Sequence, residues 1–123
     1  MIICAGSIFT DYISRINKFP KKPIKVLSRG IDKGLGGSAA VSAFTAKILG
    51  SESKFIGKFG DDDSSVFLKN ELKKFSINTS KSIFIKKCQS SQSFVIEDTK
   101  GERLLAAYNL SLIHISEPTR QHW

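Results

Sequence analysis

Lys33-Gly34-Leu35-Gly36-Gly37-Ser38-Ala39-Ala40, running on through small and apolar residues to Leu49-Gly50, is the stretch that decides the fold. Glycines let a ligand come close to a backbone, and the first turn of a helix offers N–H groups with no partner inside the helix. Ser38–Leu49 has helical spacing: Ala40, Phe44 and Ile48 recur every fourth position, and Gly50 closes the run. Taken alone, the turn reads equally as a ligand cradle or as a tight connection that delivers a helix to a sheet. Gly34-x-Gly36-x-x-Ala39 also fits a relaxed dinucleotide fingerprint. That fingerprint follows an apolar strand, whereas the charged segment Arg29–Lys33 stands here, and no Gly-Lys-Ser/Thr occurs.

Working outward, Ile2–Ala5 reads as a short buried strand ended by Gly6-Ser7. Tyr12–Phe19 and Ile24–Ile31 alternate as half-exposed strands about Pro20-Lys21-Lys22-Pro23, which predicts a hairpin flap, and Asp32–Gly37 reads as a turn. Ser53–Phe59 predicts another strand. Asp61-Asp62-Asp63-Ser64 offers caps for a helix over Ser65–Phe75, with Val66, Leu68, Leu72 and Phe75 facing inward. Ser82–Lys87, Ser93–Glu97 and Arg103–Tyr108 read as strands, the last two joined by a hairpin turn at Asp98–Gly101. This order predicts an α/β fold, with a parallel sheet as the main layer and an added β flap.

The chain has 123 residues, enough for one ordinary domain or part of a larger one, and its 41% hydrophobic content supports a packed core. The net charge of +8 comes from lysines that never run to five in a row, so it predicts a solvated basic surface rather than a nucleic-acid face. No apolar run approaches the ~20 residues of a membrane span, so no membrane partner is expected. Met1–Gly6 lacks the basic start of a signal peptide, and Cys4 and Cys88 are isolated. Both features point to a reducing, cytoplasmic location and against a disulfide scaffold or cysteine-built zinc site. Leu110–Arg120 reads as a translated sequencing-library adapter, so residues 110–123 are expected to be a non-native tail. Both histidines and Trp123 lie in it, so residues 1–109 exclude histidine as base, triad member or metal ligand.

Asp11, just past the first strand, stands where open α/β sheets face their ligand crevice. A carboxylate there accepts hydrogen bonds from vicinal hydroxyls, or caps its own turn. Asp61-Asp62-Asp63, placed before a helix, reads as capping rather than as a metal site.

Gly6-Ser7-x-x-x-Asp11, Gly36-Gly37-Ser38-Ala39-Ala40, Phe55-Ile56-Gly57-Lys58-Phe59-Gly60-Asp61-Asp62 and Ser90-x-x-Ser93-Phe94-Val95-Ile96-Glu97-Asp98 occur in an order and spacing that resembles the ribokinase-like (PfkB family) carbohydrate kinases. The resemblance covers Met1–Asn109. It implies the amino-terminal part of a doubly wound α/β sandwich carrying a β-strand lid, drawn from about residues 12–31 and 82–108. It also implies that Asp11 binds substrate hydroxyls, that Gly36 and Gly37 bring backbone against the sugar, and that Phe94 and Ile96 are apolar lid contacts. Val41 and Phe9 stand where related enzymes often carry a sugar-contacting Asn, which departs from a ribose-type contact. In the family the catalytic Asp motif, the Mg²⁺ motif and the ATP pocket lie downstream, and none occurs in this sequence. No catalytic residue or metal ligand is therefore expected here, and the chain is expected to be inactive alone. The complete enzyme would move the γ-phosphoryl group of ATP, with Mg²⁺, onto a sugar or nucleoside hydroxyl, and pairing of two subunits through the lid is an open option. Two other readings stay open: a non-catalytic sugar-binding or lid dimerisation module, and a dinucleotide-binding α/β oxidoreductase fragment.

Overall fold

Ile2–Ala5 forms β1 and Ser53–Ile56 forms β4, paired in parallel with Cys4 opposite Phe55. Between them, Ser38–Ile48 forms helix α1, which packs on one face of the pair through Ala40 and Ala43, both fully buried. Ser53 fixes the approach by donating its hydroxyl to the Ala43 carbonyl at 2.9 Å. The computed structural model describes residues 1–110. Asp63–Lys74 forms helix α2, whose buried Leu68 and Leu72 join Ile8, Phe55, Phe59 and Ile77 in the core. Burying each of these large side chains contributes about 1.5–3 kcal/mol. Asp62 caps α2 by accepting the Ser65 N–H at 3.1 Å, so within this acidic run the expected capping role falls to Asp62.

Four strands form a second sheet: β2 (Phe9–Arg15), β3 (Gly30–Gly36), β7 (Gln92–Glu97) and β8 (Arg103–Tyr108), in the order β3-β2-β7-β8. β3 and β8 pair antiparallel with their neighbours, while β2 and β7 are parallel. A third, two-stranded parallel pair joins β5 (Lys58–Phe59) to β6 (Ile83–Phe84). The fold is thus α/β as expected, but the broadest sheet is this mixed one, and the parallel layer is made of two short pairs.

Several expected boundaries move. The flap strands shift to Phe9–Arg15 and Gly30–Gly36, so Asp32–Gly37 is mostly strand rather than turn. Residues 16–29 stay irregular, because Pro20 and Pro23 carry no N–H for a ladder. The hairpin is closed instead by Ser28, whose hydroxyl donates to the Gly30 carbonyl at 2.8 Å, and by the Arg29 N–H on the Arg15 carbonyl. Ser82–Lys87 shrinks to Ile83–Phe84 and pairs with β5, so this part of 82–108 does not join the four-stranded sheet. Val66 and Phe75, expected inside, are 53% and 44% exposed, and Ile48, the last residue of the apolar spacing in α1, is 70% exposed. Helix existence was set by spacing, but the buried stripe is narrower than the apolar one. Apart from Leu110, the expected foreign tail lies outside the described residues. Leu110 itself is buried and donates its N–H to the Ser91 hydroxyl at 2.8 Å.

Candidate substrate site

Registered partners in a sheet point to the same face, and neighbours along a strand alternate. Asp11 pairs with Gly34 on one side and Ser93 on the other, and Ser93 pairs with Ala107. Its carboxylate leans onto Gly36: a Cβ there would stand 2.8 Å from Asp11 Cγ. Gly37 follows with φ +99 and caps α1 without a side-chain bond. A Cβ on Gly37 would stand 2.6 Å from the Ser7 carbonyl oxygen, so the two glycines do different work. Gly36 makes room for a carboxylate, and Gly37 makes room for the backbone that leaves β1.

Among the described residues nothing donates a hydrogen bond to Asp11. Burial pushes its carboxyl above the usual value, and the positive charge of Arg103 opposes this with a smaller pull. A half-buried carboxylate with open lone pairs beside a helix N-terminus is poised to accept hydroxyl donors. The carboxyl ends of β1 and β4 open on a cavity of about 380 Å³, lined in part by Gly6, Ser7, Gly57 and Asn109; Asp11 is not among its lining residues.

The strand register separates the expected contacts. Gly36 and Gly37 gather at Asp11, and Val41 lies half-exposed one turn into α1. Phe94 and Ile96 fall on the opposite face, because they pair with Tyr12 and Ser14. Phe94 stacks on Tyr12 at 5.3 Å, and Ile96 lines an apolar groove with Ile16, Phe19, Ile24 and Leu104. The side chains that share the Asp11 face are Ile13, Ser93, Val95, Leu105 and Ala107. At its far end Arg15 pairs with Asp32 and Glu97, and Arg103 with Glu97. Sequence alone could not single out Ser93 or Arg103, since the signal is parity relative to β2 and needs the register. Gly34 and Gly36 lie inside antiparallel β3, which is not the setting of a dinucleotide turn.

Residues 1–117 match the family model described as pfkB family carbohydrate kinase. The chain belongs to the pfkB family of carbohydrate kinases. It is 37% identical over 108 residues to fructokinase-2 of Zea mays, covering 88% of this chain and 31% of that protein. A solved nucleoside kinase of Methanocaldococcus jannaschii, titled an archaeal member of the ribokinase family, superposes with a TM-score of 0.76 at 26% identity. That match covers 87% of this chain and 36% of the other. Ribokinase of Arabidopsis thaliana, solved with ribose and ATP, shares the fold at a TM-score of 0.76 and 16% identity, over 87% of this chain and 35% of that one. The chain therefore has the ribokinase fold, and spans about a third of the length of the relatives it matches. The family match runs to residue 117, past the point where the sequence reads as foreign. Among the described residues no helix is long and apolar enough to cross a membrane.

Proposed function

We propose that this chain is the substrate-side part of an ATP-dependent sugar or nucleoside kinase, with Asp11 as the acceptor for substrate hydroxyls. The observation that carries this reading is the Asp11 carboxylate, set against Gly36, half-buried and without a donor among the described residues. Gly37 supports it by placing the start of α1 at the same point. In the complete reaction a substrate hydroxyl oxygen would bond to the γ-phosphorus of ATP, the bond to the leaving ADP would break, and a base would take the hydroxyl proton.

The described residues do not supply that base or a metal site. Among them no three His, Cys, Asp or Glu side chains converge to hold an ion. Asp61 and Asp62, the nearest thing to an acidic cluster, spend their oxygens on N–H groups. The 123-residue chain is expected to bind substrate weakly and to transfer no phosphate. The foreign origin of residues 110–123, pairing of subunits through the four-stranded sheet and a cytoplasmic location belong to the same proposal.

Calorimetric titration of the purified chain with fructose, ribose and adenosine tests the reading. Binding of at least one of them, reduced tenfold or more in Asp11→Asn, is expected, with no ATP-dependent product. Binding that Asp11→Asn leaves intact refutes the role of Asp11, and phosphorylated product refutes the inactivity. The genomic sequence beyond codon 109 tests the foreign origin of the tail.

A further inference from the structure

Besides the α2 cap, Asp61 and Asp62 bind groups 26 to 30 residues further along the chain. Asp61 accepts the N–H groups of Lys87 at 2.7 Å and Cys88 at 3.2 Å, and returns its own N–H to the Cys88 carbonyl at 3.0 Å. Asp62 caps α2 with Oδ1, while its Oδ2 accepts the Ser90 N–H at 3.0 Å and the Gln92 amide at 3.5 Å. One carboxylate thus joins the start of α2 to the residue pair that leads into β7. A neutral side chain of the same shape cannot accept all three bonds.

Ser90 and Ser91 are buried and pass the connection on. Ser90 accepts the Gly60 N–H on its hydroxyl at 2.9 Å. The Ser91 carbonyl accepts the Thr10 N–H at 3.1 Å, one residue before Asp11. The Ser91 hydroxyl accepts the Leu110 N–H at 2.8 Å and donates to the Asn109 amide oxygen at 3.3 Å, holding the chain where it leaves β8. The α2 cap, the entries of β2 and β7 and the exit of β8 therefore meet at one dipeptide. The other links between α2 and this sheet are longer or softer. Tyr12 and Ser64 hydroxyls stand 3.5 Å apart, and Lys33 Nζ lies 4.4 Å over the Phe67 ring.

We propose that Asp62, Ser90 and Ser91 form a polar hinge between α2 and the four-stranded sheet, and that they are positioning residues which set where Asp11 stands. The functional weight of this hinge rests on the reading of Asp11 as the hydroxyl acceptor, while its geometry does not. A swing of the sheet toward or away from α2 has to be taken up at Ser90-Ser91, as it has to be where the chain crosses at Ser7-Ile8 and Gly36-Gly37. The next registered pairs, Thr10 with Gln92 and Asp11 with Ser93, carry the movement directly to the carboxylate.

The test uses the full chain with Asp62→Asn, Ser91→Ala and Ser91→Thr, and with Ile77→Val as a comparator that loosens the core beyond the opposite end of α2 from Asp62. Two readouts are taken by NMR: amide exchange of Thr10, Ser93 and Val95 relative to β4, and the titration midpoint of the Asp11 carboxyl. In Asp62→Asn and Ser91→Ala, exchange at the three amides is expected to rise about tenfold more than in β4. The Asp11 midpoint is expected to fall toward its ordinary value. Ser91→Thr keeps the hydroxyl and stays near the parent, and Ile77→Val leaves Asp11 unmoved. Uniform loosening of both sheets, or an Asp11 midpoint unchanged in the hinge variants, overturns the proposal. Should Asp62→Asn fail to fold, Ser91→Ala decides, since it removes no charge. Neither readout involves a ligand, so failure of the substrate reading is told apart from failure of the hinge.

Discussion

Gly36 and Gly37 are adjacent, yet replacing each by alanine should have opposite consequences. The three atoms nearest a Cβ at Gly36 all belong to the end of the Asp11 side chain, which can rotate away. Pushing that side chain off its rotamer costs about 0.5–1.5 kcal/mol, so Gly36→Ala should unfold nearly like the parent. The carboxylate itself must leave its place, and with it the burial that raises its titration midpoint. A Cβ at Gly37 meets backbone: the Ser7 carbonyl carbon at 2.8 Å and Ile8 Cα at 2.9 Å. Gly37 also has φ +99, which costs a non-glycine residue about 1–3 kcal/mol. Overpacking adds about 1–3 kcal/mol. Gly37→Ala should therefore lose roughly 2–6 kcal/mol, a large part of the stability of a small domain. Urea unfolding measures the first difference, and NMR titration of the Asp11 carboxyl the second. Gly36→Ala as unstable as Gly37→Ala, or an Asp11 midpoint the same in Gly36→Ala as in the parent, would refute this division of roles.

Two further predictions follow from burial. Because the Asp11 midpoint is raised on folding, its charged form costs stability above that midpoint, and the cost disappears as pH falls below the unfolded value of 3.8. Asp11→Asn should thus melt higher than the parent at pH 7 and equal to it near pH 3, and a constant difference across this range would contradict the cause assigned. Leu72→Ala, in the core, should lose about 2–5 kcal/mol, whereas Ile48→Ala, 70% exposed on α1, should change stability by no more than about 0.5 kcal/mol. Chemical denaturation of both compares them directly, and equal losses would mean that Ile48 is covered in solution.

What the sequence disclosed depended on how local the cause was. The helices, the Asp62 cap and the Asp98–Gly101 turn are set by neighbours a few residues apart, and they stand close to where the spacing placed them. β8 matches its expected range, Arg103–Tyr108, because alternation and a tight turn fix it locally. β3 was hidden, since Gly30-Ile31-Asp32-Lys33-Gly34 has the composition of a turn. It is a strand because it lies at the sheet edge, where charges and glycines are tolerated, and because Gly36 leaves space for Asp11. Asp11, Gly36 and Gly37 were legible as a cluster through the order of their motifs. The faces of Phe94 and Ile96 were not, because parity depends on a register set by a strand about eighty residues earlier in the chain. Asp62 caps α2 as the acidic run predicts, but its second partners, and those Asp61 takes instead of α2, lie in 87–92 and leave no local trace.

The parallel pairing of β2 with β7 also governs how the molecule is made. Asn17 accepts the Thr99 hydroxyl and N–H across a separation of 82 residues, near the far end of that same pairing. During synthesis the β2–β3 hairpin emerges early and must wait, one edge open, until both helices and then β7 have followed. Closing so long a loop is slow compared with forming a helix or a hairpin. The assembly of the four-stranded sheet, rather than of the helical layer, should therefore set the rate at which newly made chains mature, and the waiting hairpin is the segment a chaperone would meet first.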